Sequence, residues 1–373
     1  MAAPSQDYQL FTPLTLGPNL VLKNRIVMAP MGRARANHDT RAPSADNELY
    51  FEQRAGAGLI ITDATSVSEE AHGWFGAPGM YTEEHVEAWK RVVDRVHARG
   101  GVIFLQIWHM GRMGSPTFNA KHDLVSASAI QGVGLPQRDA TGEFTTYQVP
   151  RELKIEEIPE IVESFRRASE LAKRAGFDGI DIHAANAYLI DQFLQSSSNK
   201  RTDKYGGSFE NRARFLLEIV EAIKTVWPSY RIGVRLAPNS DYGGMGNEDN
   251  YDMFTYTMEQ LSKHELAYLA ILDGEGFGLH KNGRLVTAAD AKAHFKGRVF
   301  AFNSYTKDTA EAAIRSGVAD AVGFGRSYIS NPDLAERLQN DWPLAPQPGY
   351  EVFWDPFLGA KGYTDYPTYT PSA

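Results

Sequence analysis

The sequence predicts an α/β fold, a (β/α)8 TIM barrel forming a single domain over residues 1–373, with an N-terminal hairpin and a long loop after the third strand. Three observations predict it. Eight short apolar, β-rich runs recur along the chain: Ile26–Ala29, Leu59–Thr62, Val102–Leu105, Gly179–Ile182, Ile232–Leu236, Leu269–Leu272, Val299–Phe302 and Ala321–Phe324. Amphipathic segments at helical spacing lie between them. No strand-linked G-x-G-x-x-G fingerprint is present, which disfavours the alternative, a doubly wound open sheet. Continuous apolar runs suit strands covered on both faces, as in a parallel sheet, and eight strand–helix units fit a barrel.

Each element has a local reason. Leu14 to Leu22 reads as two short runs around Gly17-Pro18-Asn19, a hairpin placed to close the barrel floor. Before the third strand, Val86, Trp89, Val93 and Val96 form a stripe, with Thr82 as N-cap and Glu83 and Glu84 suiting the positive helix end. After it, Ile158, Ile161, Phe165, Ala168 and Ala172 repeat the pattern, with Pro159 in the first turn. Phe215, Ile219, Val220 and Ile223 follow the fourth strand, and Asn331-Pro332 reads as N-cap plus first-turn proline after the eighth. Residues 109–150 are too long for a simple connection, so they are expected to form a lid or pocket wall, with an incidental surface insertion as the alternative.

Composition narrows the function. Hydrophobic residues make up 43% and charged residues 23%, the balance of a chain that buries a full core. A net charge of −8 without a basic block argues against nucleic acid. The absence of cysteine excludes disulfides, a thiol nucleophile and thiolate-bound metals, and fits a reducing, cytoplasmic setting. Met1 to Leu10 lacks the pattern of a secretory signal, and no apolar run approaches the roughly 18 residues of a membrane span.

Barrel chemistry sits at the C-terminal ends of the strands, and unusual residues collect there. The first strand runs into Pro30, Met31 and Gly32; the third ends in Gln106 and Trp108, on one face; the fourth ends in His183, with Asn186 and Tyr188 beyond. Arg235 stands inside the fifth run. Asn303-Ser304 and Gly325-Arg326 follow the seventh and eighth strands, where barrels commonly bind phosphate. Each has a structural alternative: a Gln satisfying backbone, a structural His, a buried ion pair for Arg235, a turn with a solvated charge at Gly325-Arg326. One shared ligand explains their coincidence at a single rim more simply.

These motifs resemble the old yellow enzymes, FMN-dependent ene-reductases. The resemblance runs from Phe11 to Pro367. Its most specific pieces are Lys23-Asn24-Arg25 before Met28-Ala29-Pro30, the run Gly58 to Thr65, Gln106 to His109, His183 to Leu189, Ser198 to Ser208, Phe324-Gly325-Arg326, Asn331 to Leu334, and Gly362 to Pro367. It implies non-covalent FMN and NADPH or NADH as hydride donor. Gln106 would meet the polar edge of the flavin pyrimidine, and Arg235 would stabilise the anionic reduced flavin. Backbone at Pro30, Met31, Gly32 and Ala64 would line the ring, and Asn303, Ser304, Gly325 and Arg326 would hold the phosphate. His183 and Asn186 would donate to the oxygen of an activated alkene (an enone, enal, nitroalkene or maleimide), and Tyr188 would protonate its α-carbon. Trp74 and Trp108 would shape the substrate pocket, plain core being the alternative. The resemblance also implies ping-pong turnover by a monomer or homodimer with small-molecule partners only.

Three positions depart from the family. Gly32 stands where many relatives have Thr or Cys, Asn303-Ser304 replaces a more Gly-rich turn, and the C-terminal aromatic position is expected at Leu358. Other readings are a flavin-free barrel lyase or isomerase using His183 and Tyr188, and a flavin-binding protein without alkene turnover. An iron–sulfur flavin barrel is excluded by the missing cysteines.

Overall fold

A computed structural model of the chain describes residues 7–274 and 278–370. The first six residues of the N-terminal segment read above lie outside it. The eight runs form parallel strands: β1 (Ile26–Met28), β2 (Leu59–Ile61), β3 (Ile103–Trp108), β4 (Gly179–Ala184), β5 (Ile232–Leu236), β6 (Tyr268–Leu272), β7 (Val299–Phe302) and β8 (Ala321–Phe324). They pair in chain order, β8 returns to β1, and the sheet closes into a barrel. A two-residue strand, Thr65–Ser66, adds to β3 beside Ile107 and Trp108.

Alternation divides the strands cleanly. Ile26, Met28, Ile60, Leu105, Ile180, Ile182, Val234, Ile271 and Val322 face outward into the core shared with the helices. Val27, Leu59, Ile61, Phe104, Tyr268, Ala270, Phe300, Phe302 and Ala321 face inward. The hairpin Leu14–Gly17/Leu20–Leu22 adds Leu14, Leu16, Leu20 and Leu22 to that inner cluster, so it closes the floor as expected. Glycines on neighbouring strands make room for large inner rings. A Cβ on Gly179 would stand 2.4 Å from Phe104 Cζ, one on Gly323 2.2 Å from Phe302, and one on Gly233 2.2 Å from Tyr268 Cζ. Gly233→Ala is therefore expected to displace Tyr268 and cost about 1–3 kcal/mol, read as a lower urea midpoint at unchanged slope.

The helices are α1 (Ala45–Gln53), α2 (Glu83–Ala98), α3 (Ile158–Arg174), α4 (Phe209–Lys224), α5 (Asn250–Leu261), α6 (Ala288–His294), α7 (Lys307–Arg315) and α8 (Leu334–Gln339). Thr82 caps α2, accepting from His85 N, and Pro159 occupies the first turn of α3. The cap of α8 differs from expectation. Asp333, not Asn331, is its N-cap, and Pro332 precedes the helix. The Asn331 side chain is committed elsewhere: it donates to Ser327 O at 2.8 Å and accepts from Ala345 N at 2.7 Å. Strands β3 and β4 run further than their apolar stretches, through Gln106 and Trp108 and through His183, because those side chains point inward at alternate positions.

Candidate active site

The register of the barrel brings the polar positions together. Asp181 lies beside Gln106 across β3–β4, and His183 beside Arg235 across β4–β5. All four are buried. Gln106 Nε2 donates to Asp181 Oδ2 at 2.7 Å, and Tyr268 Oη donates to Asp181 Oδ1 at 2.8 Å. Arg235 behaves differently. Its Nε is buried without a partner, and its guanidinium lies 5.6 Å from the Phe302 ring centre. Burial pushes its pKa down to about 10, against the pull of Asp181. His183 Nδ1 is also buried without a partner. Burial, then the Arg235 charge, holds the imidazole well below its usual pKa, so it is neutral at pH 7.

Beyond β4 the chain turns sharply. Asn186 and Ala187 both take left-handed backbone, at φ 56° and 64°. Asn tolerates that region; Ala there costs about 1–2 kcal/mol. The short helix Leu189–Leu194 holds the turn: Ala187 N donates to Asp191 Oδ2 at 2.9 Å, and Gln192 Nε2 donates to Ala187 O at 2.6 Å. Burial pushes the Asp191 carboxyl up to about 7, although Gln195 Nε2, donating at 2.8 Å, and Ala187 N both favour its ionised form. Asp191→Asn would turn one acceptor into a donor facing Ala187 N–H or Gln195 Nε2. A loss of about 1–3 kcal/mol is expected in thermal unfolding as the turn loosens.

The turn delivers Asn186 and Tyr188, both partly buried, to the rim. The Tyr188 ring meets Trp108 edge-on at 4.4 Å and His183 at 5.0 Å, and Trp108 stacks on His183 at 6.0 Å. Trp108 is pinned by its Nε1, which donates to Ser66 Oγ at 3.3 Å. Trp74 meets Trp108 at 6.4 Å. Burial raises the Tyr188 phenol well above its usual pKa. Tyr147, from the long loop after β3, and Tyr242, after β5, join the cluster beside Tyr188, their hydroxyls 3.4 Å apart. Buried Arg112 ties the two segments, donating to Gly243 O at 2.8 Å and Ile130 O at 3.3 Å. The long loop thus walls the Tyr188 side of the site.

Gly32 has a structural reason. A Cβ there would stand 2.3 Å from Trp74 Cζ3, so the indole fills the space a side chain would take. Ala64 packs in the same cluster as Trp74, Trp108 and Tyr188. The next residue, Arg33, is fully buried and clamps the C-terminal segment. It donates to Phe353 O at 3.1 Å, Gly362 O at 2.7 Å and Tyr50 Oη at 3.2 Å, and its own N–H goes to Asp63 Oδ2 at 2.8 Å. Trp354, which the sequence reading passed over, follows directly on Phe353. Leu358 is half-buried, and its neighbour Phe357 packs outward on Phe75 at 5.6 Å.

On the far rim, Asn303 and Ser304 are left-handed, at φ 92° and 60°. This reproduces with non-glycine residues the turn a Gly-rich loop would make. Asn303 Nδ2 donates to Gly274 O at 3.1 Å. Gly325 opens the short helix Arg326–Ser330, and a Cβ on it would lie 3.6 Å from Met31 Sδ, so the β8 and β1 loops adjoin. Arg326 is exposed.

The sequence matches the NADH:flavin oxidoreductase / NADH oxidase family over residues 9–345. The chain belongs to the old yellow enzyme family. It is 38% identical to 12-oxophytodienoate reductase 2 of Arabidopsis thaliana, over all of this chain and 99% of that protein. It is 37% identical to a probable flavin mononucleotide-dependent alkene reductase of Leishmania infantum, covering 98% of this chain and 100% of that one. The structure of the old yellow enzyme homologue from Zymomonas mobilis superposes with a TM-score of 0.91 at 39% identity, covering 97% of this chain and 100% of the other. Among the described residues, no helix of this old yellow enzyme family member is long and apolar enough to cross a membrane.

Proposed function

We propose that this chain is an FMN-dependent ene-reductase taking NADPH or NADH and an activated alkene in turn. The observation that carries the reading is the inner pair of unpartnered buried groups, Arg235 Nε and His183 Nδ1, beside a tyrosine that keeps its proton. A buried guanidinium without an acceptor is costly, so the interior is built for a ligand that supplies one. A flavin fits that donor set. Arg235 and the free Oε1 of Gln106 would meet its pyrimidine edge, Pro30, Met31, Gly32 and Ala64 its ring, and Asn303, Ser304, Gly325 and Arg326 its phosphate. Bound there, FMN would carry a hydride from the nicotinamide to the β-carbon of the alkene.

The chain's own residues supply the rest. His183 and Asn186 hold the carbonyl or nitro oxygen with two hydrogen bonds that strengthen as negative charge develops on it. Tyr188 delivers a proton to the α-carbon. Trp74 and Trp108 bound the space that both substrates occupy by turns, which makes the kinetics ping-pong. The test is anaerobic stopped-flow on the purified protein with both coenzymes and a panel of enones and nitroalkenes. Bleaching by NAD(P)H and recovery of colour on adding alkene are expected. A colourless protein that takes up no FMN would overturn the proposal.

A further inference from the structure

Asp181, in the barrel interior, is an acidic group that the proposed chemistry does not use. Asp181 is fully buried, and both its oxygens accept: Oδ2 from Gln106 Nε2 at 2.7 Å, Oδ1 from Tyr268 Oη at 2.8 Å. Room for the second donor is built in, because Gly233 leaves the space over which the Tyr268 ring lies. Burial raises this carboxyl, while Gln106, Tyr268 and the Arg235 charge all favour its ionised form.

An ionised carboxylate only accepts hydrogen bonds, whereas a free Gln amide can turn to offer either a donor or an acceptor. Asp181 removes that choice: Nε2 is committed sideways to the neighbouring strand, and Oε1 is left for a ligand. The same carboxylate opposes the charge of Arg235 on the next strand.

We infer that Asp181 is a positioning residue for the flavin: it fixes the Gln106 amide so that Oε1 accepts the imide N–H of the pyrimidine ring, and its charge offsets part of Arg235's pull on the reduced state. The inference rests on the flavin reading above. The test is Asp181→Asn in the FMN-loaded protein. With the amide of Gln106 free to turn, oxidised FMN is expected to bind about tenfold more weakly. With Arg235 less opposed, reduced FMN gains about tenfold over oxidised FMN, which for a two-electron couple is a midpoint shift of about +30 mV. Asp181→Glu, which restores the charge, should move the potential back. A folded Asp181→Asn with wild-type FMN affinity and potential would overturn the inference alone. Wild-type protein that binds no FMN would overturn the flavin reading and the inference with it. Should Asp181→Asn not fold, the wild-type apoprotein decides: N3-methyl-FMN, lacking the imide N–H, is expected to bind at least about tenfold more weakly than FMN, and equal affinity would overturn the inference.

Discussion

Replacing His183 and Asn186 together by alanine is expected to slow alkene-dependent reoxidation by about two to three orders of magnitude and to abolish phenol-induced changes in the flavin spectrum. Removing one preorganised donor costs about 2.7–4 kcal/mol in acyl-transfer enzymes, and a similar or smaller cost for each donor applies here. Both groups are neutral donors. Burial and the Arg235 charge keep His183 unprotonated, so what it contributes is a placed N–H rather than a charge. The sign of the pH effect follows. With its pKa depressed, His183 stays neutral as pH falls through 6.5 and is protonated only well below. Phenol binding should therefore be flat from pH 8 to 6, and a transition centred near 6.5 would contradict the assignment. Asn186 needs a second variant, because alanine at φ 56° adds backbone strain to the loss of the amide. Asn186→Gly removes the donor and relaxes the backbone, so a loss it shares with Asn186→Ala belongs to the donor. Unchanged spectra in the double variant would remove both residues from the substrate site.

The barrel was legible because outward positions such as Ile180 and Ile182 repeat on every strand, and closure follows from eight of them. The polar residues at the rim were legible as types and as strand ends, at Gln106 and Trp108 and at His183. The apolar stretch alone stops at the first polar side chain; Gln106 and His183 continue their strands because alternation points them into the barrel interior. Asp181 was hidden for the same reason. Gly179–Ile182 reads as an apolar run covered on both faces, and only barrel closure shows that Asp181 within it points into the interior. The turn after β4 left no trace either, since Ala187 carries no sign of a left-handed backbone; its holders, Asp191 and Gln192, become visible only in three dimensions. Gly32 read only as a departure from the family, whereas Trp74, distant in sequence, fills the space a side chain there would take. The clamp made by Arg33 left no mark in the sequence, because its partner Gly362 lies 329 residues away.

Tyr188→Phe is expected to slow the alkene half-reaction by about a hundredfold or more while leaving reduction by NAD(P)H within about twofold of wild type. A positioned general acid contributes about 10²–10⁴ in rate, and only the oxidative half-reaction needs a proton on carbon. The substitution is clean on structural grounds. The ring's contacts with Trp108 at 4.4 Å and His183 at 5.0 Å survive in phenylalanine. The Tyr188 hydroxyl makes no hydrogen bond to any described residue, so its removal strands no buried partner and should leave the unfolding midpoint near that of wild type. The pH profile separates this role from a merely structural one. Burial, with Tyr242 and Tyr147 nearby, raises the phenol well above 10, and Arg235 only partly opposes them. A raised pKa keeps the proton on as pH rises, so the wild-type oxidative rate should show no descending limb from Tyr188 up to pH 10. Equal losses in both half-reactions would mean that Tyr188 shapes the space both substrates share, and the proton would then have to come from water.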